Sequence, residues 1–295
     1  MTLTDHAVAV AGGELAVAVL GEQDPAAPTI LAVHGITASS RSFLGLERAL
    51  SGVRIVAPDL RGRGRSNTLP PPYGLRRHAE DLARVLDAFG LERAVVAGHS
   101  MGAFCAVLLG AAEPDRVAGL VLVDGGLPLP APEGGLTEEA LQALLGPAAD
   151  RLTREFPDRE GYRAFWSAHP AFAADWNADV EAYVDYDLQG REPHLRPAGV
   201  PEAVGADQRE LYGPDWYLDA LRALRMPVTA LRAPRGLLDD APLYPAGRMD
   251  SFAALVPQLE VVEVDDVNHY TIAMAPRGAR RVAEAITRQM QEASR

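Results

Sequence analysis

The sequence predicts an α/β protein: a mostly parallel sheet flanked by helices, with a helical segment inserted between two strands. Three observations lead there. From Thr29 onward, short β-rich apolar runs alternate with helical patterns. The alternation lapses between Gly125 and Met226, a stretch that holds 11 of the chain's 18 aromatic residues and all three tryptophans. It then resumes with "PVTALRAP" and "LEVVEVDDV". Continuous apolar strands joined through helices imply crossover connections, and crossovers cover both faces of a sheet.

Taken in order, "HAVAV" and "LAVAV" flank "AGGE" and read as an amino-terminal β-hairpin. Next come "TILAVHG", a helix near 41–50, "RIVAPDL", a helix near 76–90, "AVVAGHS", a helix near 101–113 and "VAGLVLVDGG". Residues 125–226 then read as a helical cap insertion into a core made of 1–124 and 227–295. Within the insertion, Tyr162, Phe165, Trp166 and His169 fall at helical spacing, as do Trp176, Val180, Tyr183 and Val184, so each helix has one apolar face. A helix is expected near 246–255. The last, "PRGARRVAEAITRQMQ", opens with proline in its first turn, where the ring is tolerated.

The charge balance, 28 basic against 40 acidic residues, is −12, and every basic residue is arginine. An acidic surface repels phosphates and argues against a nucleic-acid partner. The cationic run "RGRGRSN", with Arg76 and Arg77 beyond it, reads as a solvated loop; Asn67 stands where a dinucleotide fingerprint needs its third glycine. The single cysteine, Cys105, allows no intramolecular disulfide and reads as a small buried hydrophobe. The first basic residue is Arg41, so the start lacks a secretory pattern. The longest apolar run, "MGAFCAVLLGAA", falls short of the roughly 18 residues of a membrane span. These features predict a soluble, cytoplasmic protein without a membrane span; a homodimer stays open.

The chemistry concentrates in "GHSMG", residues 98–102, which follows a strand and begins a helix. In that context a G-x-S-x-G pattern puts serine on a sharp, strained turn beside a helix amino terminus. There the unpaired N–H groups and the positive dipole end favour a negative oxygen. Gly98 and Gly102 are needed because a side chain at either place would meet the neighbouring element. A serine hydroxyl also needs a base to take its proton. Of seven histidines, His269 in "DDVNHYTI" lies between the last strand and the last helix, where it can reach back over the sheet's carboxyl edge. His99 is expected to aim away from the serine, and Asp59 is assigned to loop structure.

With "HGI" after the first long strand, "DLRGRGRS" after the second, "GHSMG", the insertion and "NHYTI", the chain resembles the α/β-hydrolase superfamily, in its capped serine hydrolase or esterase form, over almost its whole length. The resemblance implies an eight-stranded, mostly parallel sheet, with the cap between strands 6 and 7 and the site at the sheet's carboxyl edge. It implies an oxyanion hole from the main-chain N–H groups of Ile36 and Met101. It leaves the acid open. The usual position, just after the strand that follows the cap, holds Gly236, with Asp239 and Asp240 slightly later. Asp124, ending "LVLVD", matches the position used by some capped relatives such as the haloalkane dehalogenases, and is favoured over the Asp239/Asp240 pair.

The expected function is hydrolysis of a carboxylic ester or related acyl compound through an acyl-serine. Ser100 is the nucleophile, His269 the proton carrier and Asp124 the acid that orients it. No metal or organic cofactor is required, and no metal-ligand motif stands in the sequence. The aromatic insertion suggests a mostly apolar small-molecule substrate. Diketone carbon–carbon bond hydrolysis, lactone opening and thioester hydrolysis use the same residues and remain alternatives. A non-catalytic ligand receptor on this scaffold is the rival from outside enzymology.

Overall fold

The computed structural model describes residues 2–131, 135, 137 and 150–294, so part of the 125–226 insertion lies outside the described residues. The core strands are β1 (Leu3–Val10), β2 (Gly13–Gly21), β3 (Thr29–Val33), β4 (Arg54–Pro58), β5 (Ala94–His99), β6 (Val117–Val123), β9 (Val228–Arg232) and β10 (Leu259–Glu263). A short hairpin in the insertion supplies β7 (Leu188–Arg191) and β8 (His194–Pro197). The core sheet has eight strands in the order β1-β2-β4-β3-β5-β6-β9-β10. β1–β2 and β2–β4 pair antiparallel, and every later neighbour pairs parallel. The tight β1–β2 turn runs through Gly12, at φ 91°, a conformation open to glycine.

Apolar side chains alternate along the central strands but are buried on both sides. Leu31, Val33, Val56, Val96, Leu120 and Leu122 enter one core. Ile30, Ala32, Ile55, Ala57, Val95, Ala97, Val121 and Val123 enter the other. The first is covered by α2 (Leu75–Ala88), α3 (Met101–Ala112) and α7 (Asp215–Ala223), the second by α1 (Leu44–Ala49) and α9 (Pro276–Ala293). α3 is buried from Met101 through Gly110, which explains its lack of a polar face.

Between β6 and β9 lie α4 (Arg159–Ser167), α5 (Ala178–Asp187) and α6 (Pro201–Gln208), along with α7 and the β7–β8 hairpin. Asp158 caps α4 by accepting from Gly161 N–H at 2.7 Å, and Asn177 caps α5. Their apolar faces form a third core, where Phe156, Tyr162, Trp166, Phe172, Val180, Tyr183 and Val184 pack with Tyr270 and Met274. Met274 closes α8 (Thr271–Met274), the short helix before α9.

Three expectations need correction. The insertion, read as helical, also holds a β-hairpin, in which the chain reverses at Glu192 and Pro193 between the paired Arg191 and His194. The helix expected near 246–255 is only a 3-10 turn, Asp250–Phe252, confined by Pro245, Gly247 and Pro257. And "RGRGRSN" is not a solvated loop throughout: Arg61 and Arg63 are fully buried, while Arg65 is exposed. Arg61 binds Asp81 and the carbonyls of Ala11 and Pro70, so its charge is neutralised and its donors are used. A composition reading cannot foresee carboxylates that arrive from distant helices.

Candidate active site

β5 ends at His99 and α3 begins at Met101, so Ser100 alone makes the turn, at φ 55° and ψ −124°. A non-glycine residue there is strained, and the surroundings hold it. Ser100 N–H donates to Val123 O at 2.9 Å. The glycines are demanded by contact. A Cβ on Gly98 would stand 2.4 Å from Gly102 O, one on Gly102 2.0 Å from Val33 O, and one on Gly125 2.2 Å from Ser100 O. Ser100 is half-buried and lines a cavity of about 40 Å³ at the carboxyl ends of the parallel strands. His269, Asp124, Ile36 and Met101 line the same cavity.

His269 lies between β10 and α8, as expected for a loop reaching back. Its Nδ1–H donates to Asp124 Oδ2 at 2.7 Å, and Asp124 Oδ1 accepts from Ala233 N–H at 3.1 Å. With Nδ1 engaged, a neutral imidazole keeps its lone pair on Nε2. Asp124 is fully buried at the end of β6, at φ 44°. Two and three residues further on, Gly126 O and Leu127 O accept from the hydroxyls of Tyr217 at 2.7 Å and Tyr244 at 2.6 Å. Asp239 takes another place: its Oδ1 accepts from Arg235 Nε at 2.7 Å and Asn268 Nδ2 at 2.8 Å. Burial pushes its pKa up, but Asn268 and Arg235 more than offset this, so it lies below the usual carboxylate value. Asp240 is exposed. Asn268 also ties the loop itself, its Oδ1 accepting from Tyr270 and Thr271 N–H.

The "HG" stretch has an equally definite local cause. His34 Nε2 accepts from Leu60 N–H at 2.9 Å, so its proton sits on Nδ1 and donates to Gly35 O at 2.8 Å. Ala38 N–H reaches the same carbonyl at 3.1 Å. Because the peptide is planar and trans, fixing Gly35 O turns the N–H of Ile36 the opposite way. Met101 is the first residue of α3, where a helix leaves its N–H without an intrahelical acceptor.

Sequence reasoning missed several supporting residues. His99 Nε2–H donates to the backbone oxygen of His269 at 2.7 Å, and the two rings lie 4.8 Å apart. Arg63 Nε donates to Ile36 O at 2.8 Å, and Arg151 Nη2 to Thr37 O at 2.6 Å. Only the burial of an arginine-rich run could have signalled Arg63, and no local pattern marks Arg151.

Residues 28–157 match the family described as alpha/beta hydrolase fold. The crystal structure of E-2-(acetamidomethylene)succinate hydrolase superposes with a TM-score of 0.80 at 25% identity, over 98% of this chain and 100% of that one. The chain has the α/β-hydrolase fold. By sequence the chain is 28% identical over 252 residues to 2-(acetamidomethylene)succinate hydrolase from Mesorhizobium japonicum, covering 84% of each chain. It is 39% identical over 122 residues to lipase LipV from Mycobacterium tuberculosis, covering 41% of this chain. That match spans less than half, 45%, of the lipase's length. Among the described residues, no helix is long and apolar enough to cross a membrane.

Two site histidines make the protein's stability pH-dependent. Burial lowers His34 to about 4; burial and then the neighbouring His269 charge lower His99 to about 3. Unfolded, each titrates near 6.5, so between these values the unfolded chain binds more protons and stability falls as pH falls. The stabilisation is complete above about pH 6.5 and is lost progressively toward pH 4 and 3. At pH 5 the loss is on the order of 2 kcal/mol for each histidine. Urea midpoints at pH 7 and 5 should show it. His99→Gln, which keeps a donor but cannot protonate, should shrink the difference; an unchanged difference would refute the role of His99.

Proposed function

We propose that the protein cleaves a small, uncharged carboxylic ester or related acyl compound through an acyl-serine intermediate. Ser100 attacks the carbonyl while His269 Nε2 takes its proton. Asp124 holds the imidazole in the accepting tautomer and stabilises the imidazolium. The N–H groups of Ile36 and Met101 receive the developing oxyanion, each contributing about 3 kcal/mol to the transition state. His269 then protonates the leaving group, and water, activated by the same imidazole, releases the acid and restores Ser100. The observation that carries this reading is the convergence on one cavity of a strained serine turn and a buried carboxylate–imidazole pair.

The cavity wall supports the choice of a neutral substrate. Beyond the residues given catalytic roles, it includes Phe104, Leu129, Leu211, Leu237, Leu243 and Met274. Among the described lining residues none is an arginine or lysine. The Mesorhizobium relative acts on a succinate derivative, and a carboxylate-bearing substrate would enter this wall without a counter-charge. One water needs about 10–15 Å³ of such space, so a cavity of about 40 Å³ suits a short acyl group. We further propose that residues 125–226 serve as the cap over this cavity.

The test is labelling with a fluorophosphonate and mass mapping of the adduct, followed by turnover of p-nitrophenyl acetate, butyrate and hemisuccinate, a thioester, a lactone and a vinylogous diketone. The adduct is expected on Ser100, with the acetate at least tenfold above the hemisuccinate in kcat/KM. Labelling elsewhere would reject the nucleophile, and preference for the hemisuccinate would reject the neutral substrate. Faster turnover of the thioester, lactone or diketone would keep the triad and replace the ester. Absence of turnover on the whole panel would favour the receptor.

A further inference from the structure

We propose that Arg151, carried by the insertion, is a positioning residue that holds the 36–38 loop in the shape needed for oxyanion binding, an inference that rests on the acyl-serine reading above. Its guanidinium is fully buried. Nη1 donates to Asp187 Oδ2 at 2.7 Å and to the Tyr162 hydroxyl at 3.2 Å, and the cation lies 5.1 Å from the centre of the Trp166 ring. Nη2 crosses from these insertion residues to Thr37 O at 2.6 Å. Burial alone would favour losing the charge, but Asp187 more than offsets this and keeps the group protonated.

A buried ion pair is not needed for packing, since well-fitted apolar side chains serve that purpose at least as well. Here the pair even leaves Arg151 Nε buried without a partner, an arrangement that costs free energy. What the guanidinium does that an apolar side chain cannot is bind a carbonyl at the candidate oxyanion loop. One residue earlier, Arg63 does the same for Ile36 O, and its countercharge Asp207, 2.5 Å away, also belongs to the insertion. Against the upward push of burial, Arg63 and His78 lower Asp207 to about 2, so it stays charged. Two consecutive carbonyls are therefore held by cations whose partners lie in the 125–226 segment. Planar peptides transmit that constraint to the neighbouring N–H groups, so the seating of the insertion sets whether the loop is competent.

The experiment compares the parent with Arg151→Met/Tyr162→Phe/Asp187→Leu, which removes the strut without stranding a buried charge or hydroxyl. With p-nitrophenyl acetate, kcat should fall tenfold or more while KM stays within about twofold, because the oxyanion forms only in the transition state. Affinity for a boronic acid that forms a tetrahedral adduct should fall by the same factor. Amide hydrogen exchange across residues 36–40 should quicken at least tenfold. Parent-like kcat and exchange in a folded variant would overturn the proposal. If the triple variant does not fold, Arg151→Lys is measured instead: one donor head cannot span Asp187 and Thr37 together, so the same directions are expected, and parent-like values again overturn it. Should the parent itself turn over no ester, the acyl-serine reading fails on its own, and the exchange measurement alone decides whether Arg151 holds the loop.

Discussion

Ser100→Ala is expected to lower kcat on p-nitrophenyl acetate by about 10⁴–10⁶-fold while the unfolding transition stays within a few degrees of the parent. The effect is large because no other group on the cavity wall can take the serine's place at the bend. The carbonyl would still meet the N–H groups of Ile36 and Met101, so a small residual rate above water is expected. The fold should tolerate the change. Ser100's backbone holds the turn through Val123 O and Ala103 N–H, and alanine accepts the same contacts at similar strain. A variant retaining activity within tenfold of the parent would reject Ser100 as nucleophile; a variant that loses its cooperative transition would show the hydroxyl to be structural. Circular dichroism and kinetics on the same preparation separate the two.

Asp124→Asn should cost about 10⁴-fold in kcat. Asparagine can still accept from Ala233 N–H through one atom, which turns its amide NH₂ toward His269. That amide must then donate to Nδ1, which forces the imidazole proton onto Nε2, where the base's lone pair is needed. The wrong tautomer is thereby built in. Asp239→Asn should cost less than about tenfold, because it weakens an ion pair that is 33% and 37% exposed and acts on the loop through Asn268. Asp240→Asn should be neutral. A loss at Asp239 equal to or larger than that at Asp124 would transfer the acid's role and remove the basis for the tautomer argument.

Much of the site was legible because its parts are local. "AVVAGHS" followed by "MGAFCAVLLG" is a strand entering a helix with serine at the junction, and that junction is also where the structure puts its strained residue. "HG" and "NHYT" sit at strand ends, where a parallel sheet presents its loops together. The acid was harder. Asp124 and Asp239 both follow core strands, and which of them reaches His269 turns on a few ångströms of loop path. Asn268 intercepts Asp239, one residue short of the imidazole. The "RGRGRS" run misled for a related reason: hydropathy sees the charges of Arg61 and Arg63 but not Asp81 and Asp207, which neutralise them from other elements.

By itself, then, the chain determined the alternation of strand and helix, the inserted aromatic segment and the presentation of Ser100. Periodicity and glycine spacing act over a few residues and survive without knowledge of neighbours. Only the tertiary structure decided which aspartate meets the imidazole, that His99 anchors the loop of His269, and that two arginines brace Ile36 and Thr37 from behind. Those outcomes depend on directional contacts of about 3 Å between residues far apart in sequence, and no local pattern specifies which distant donor arrives at which carbonyl.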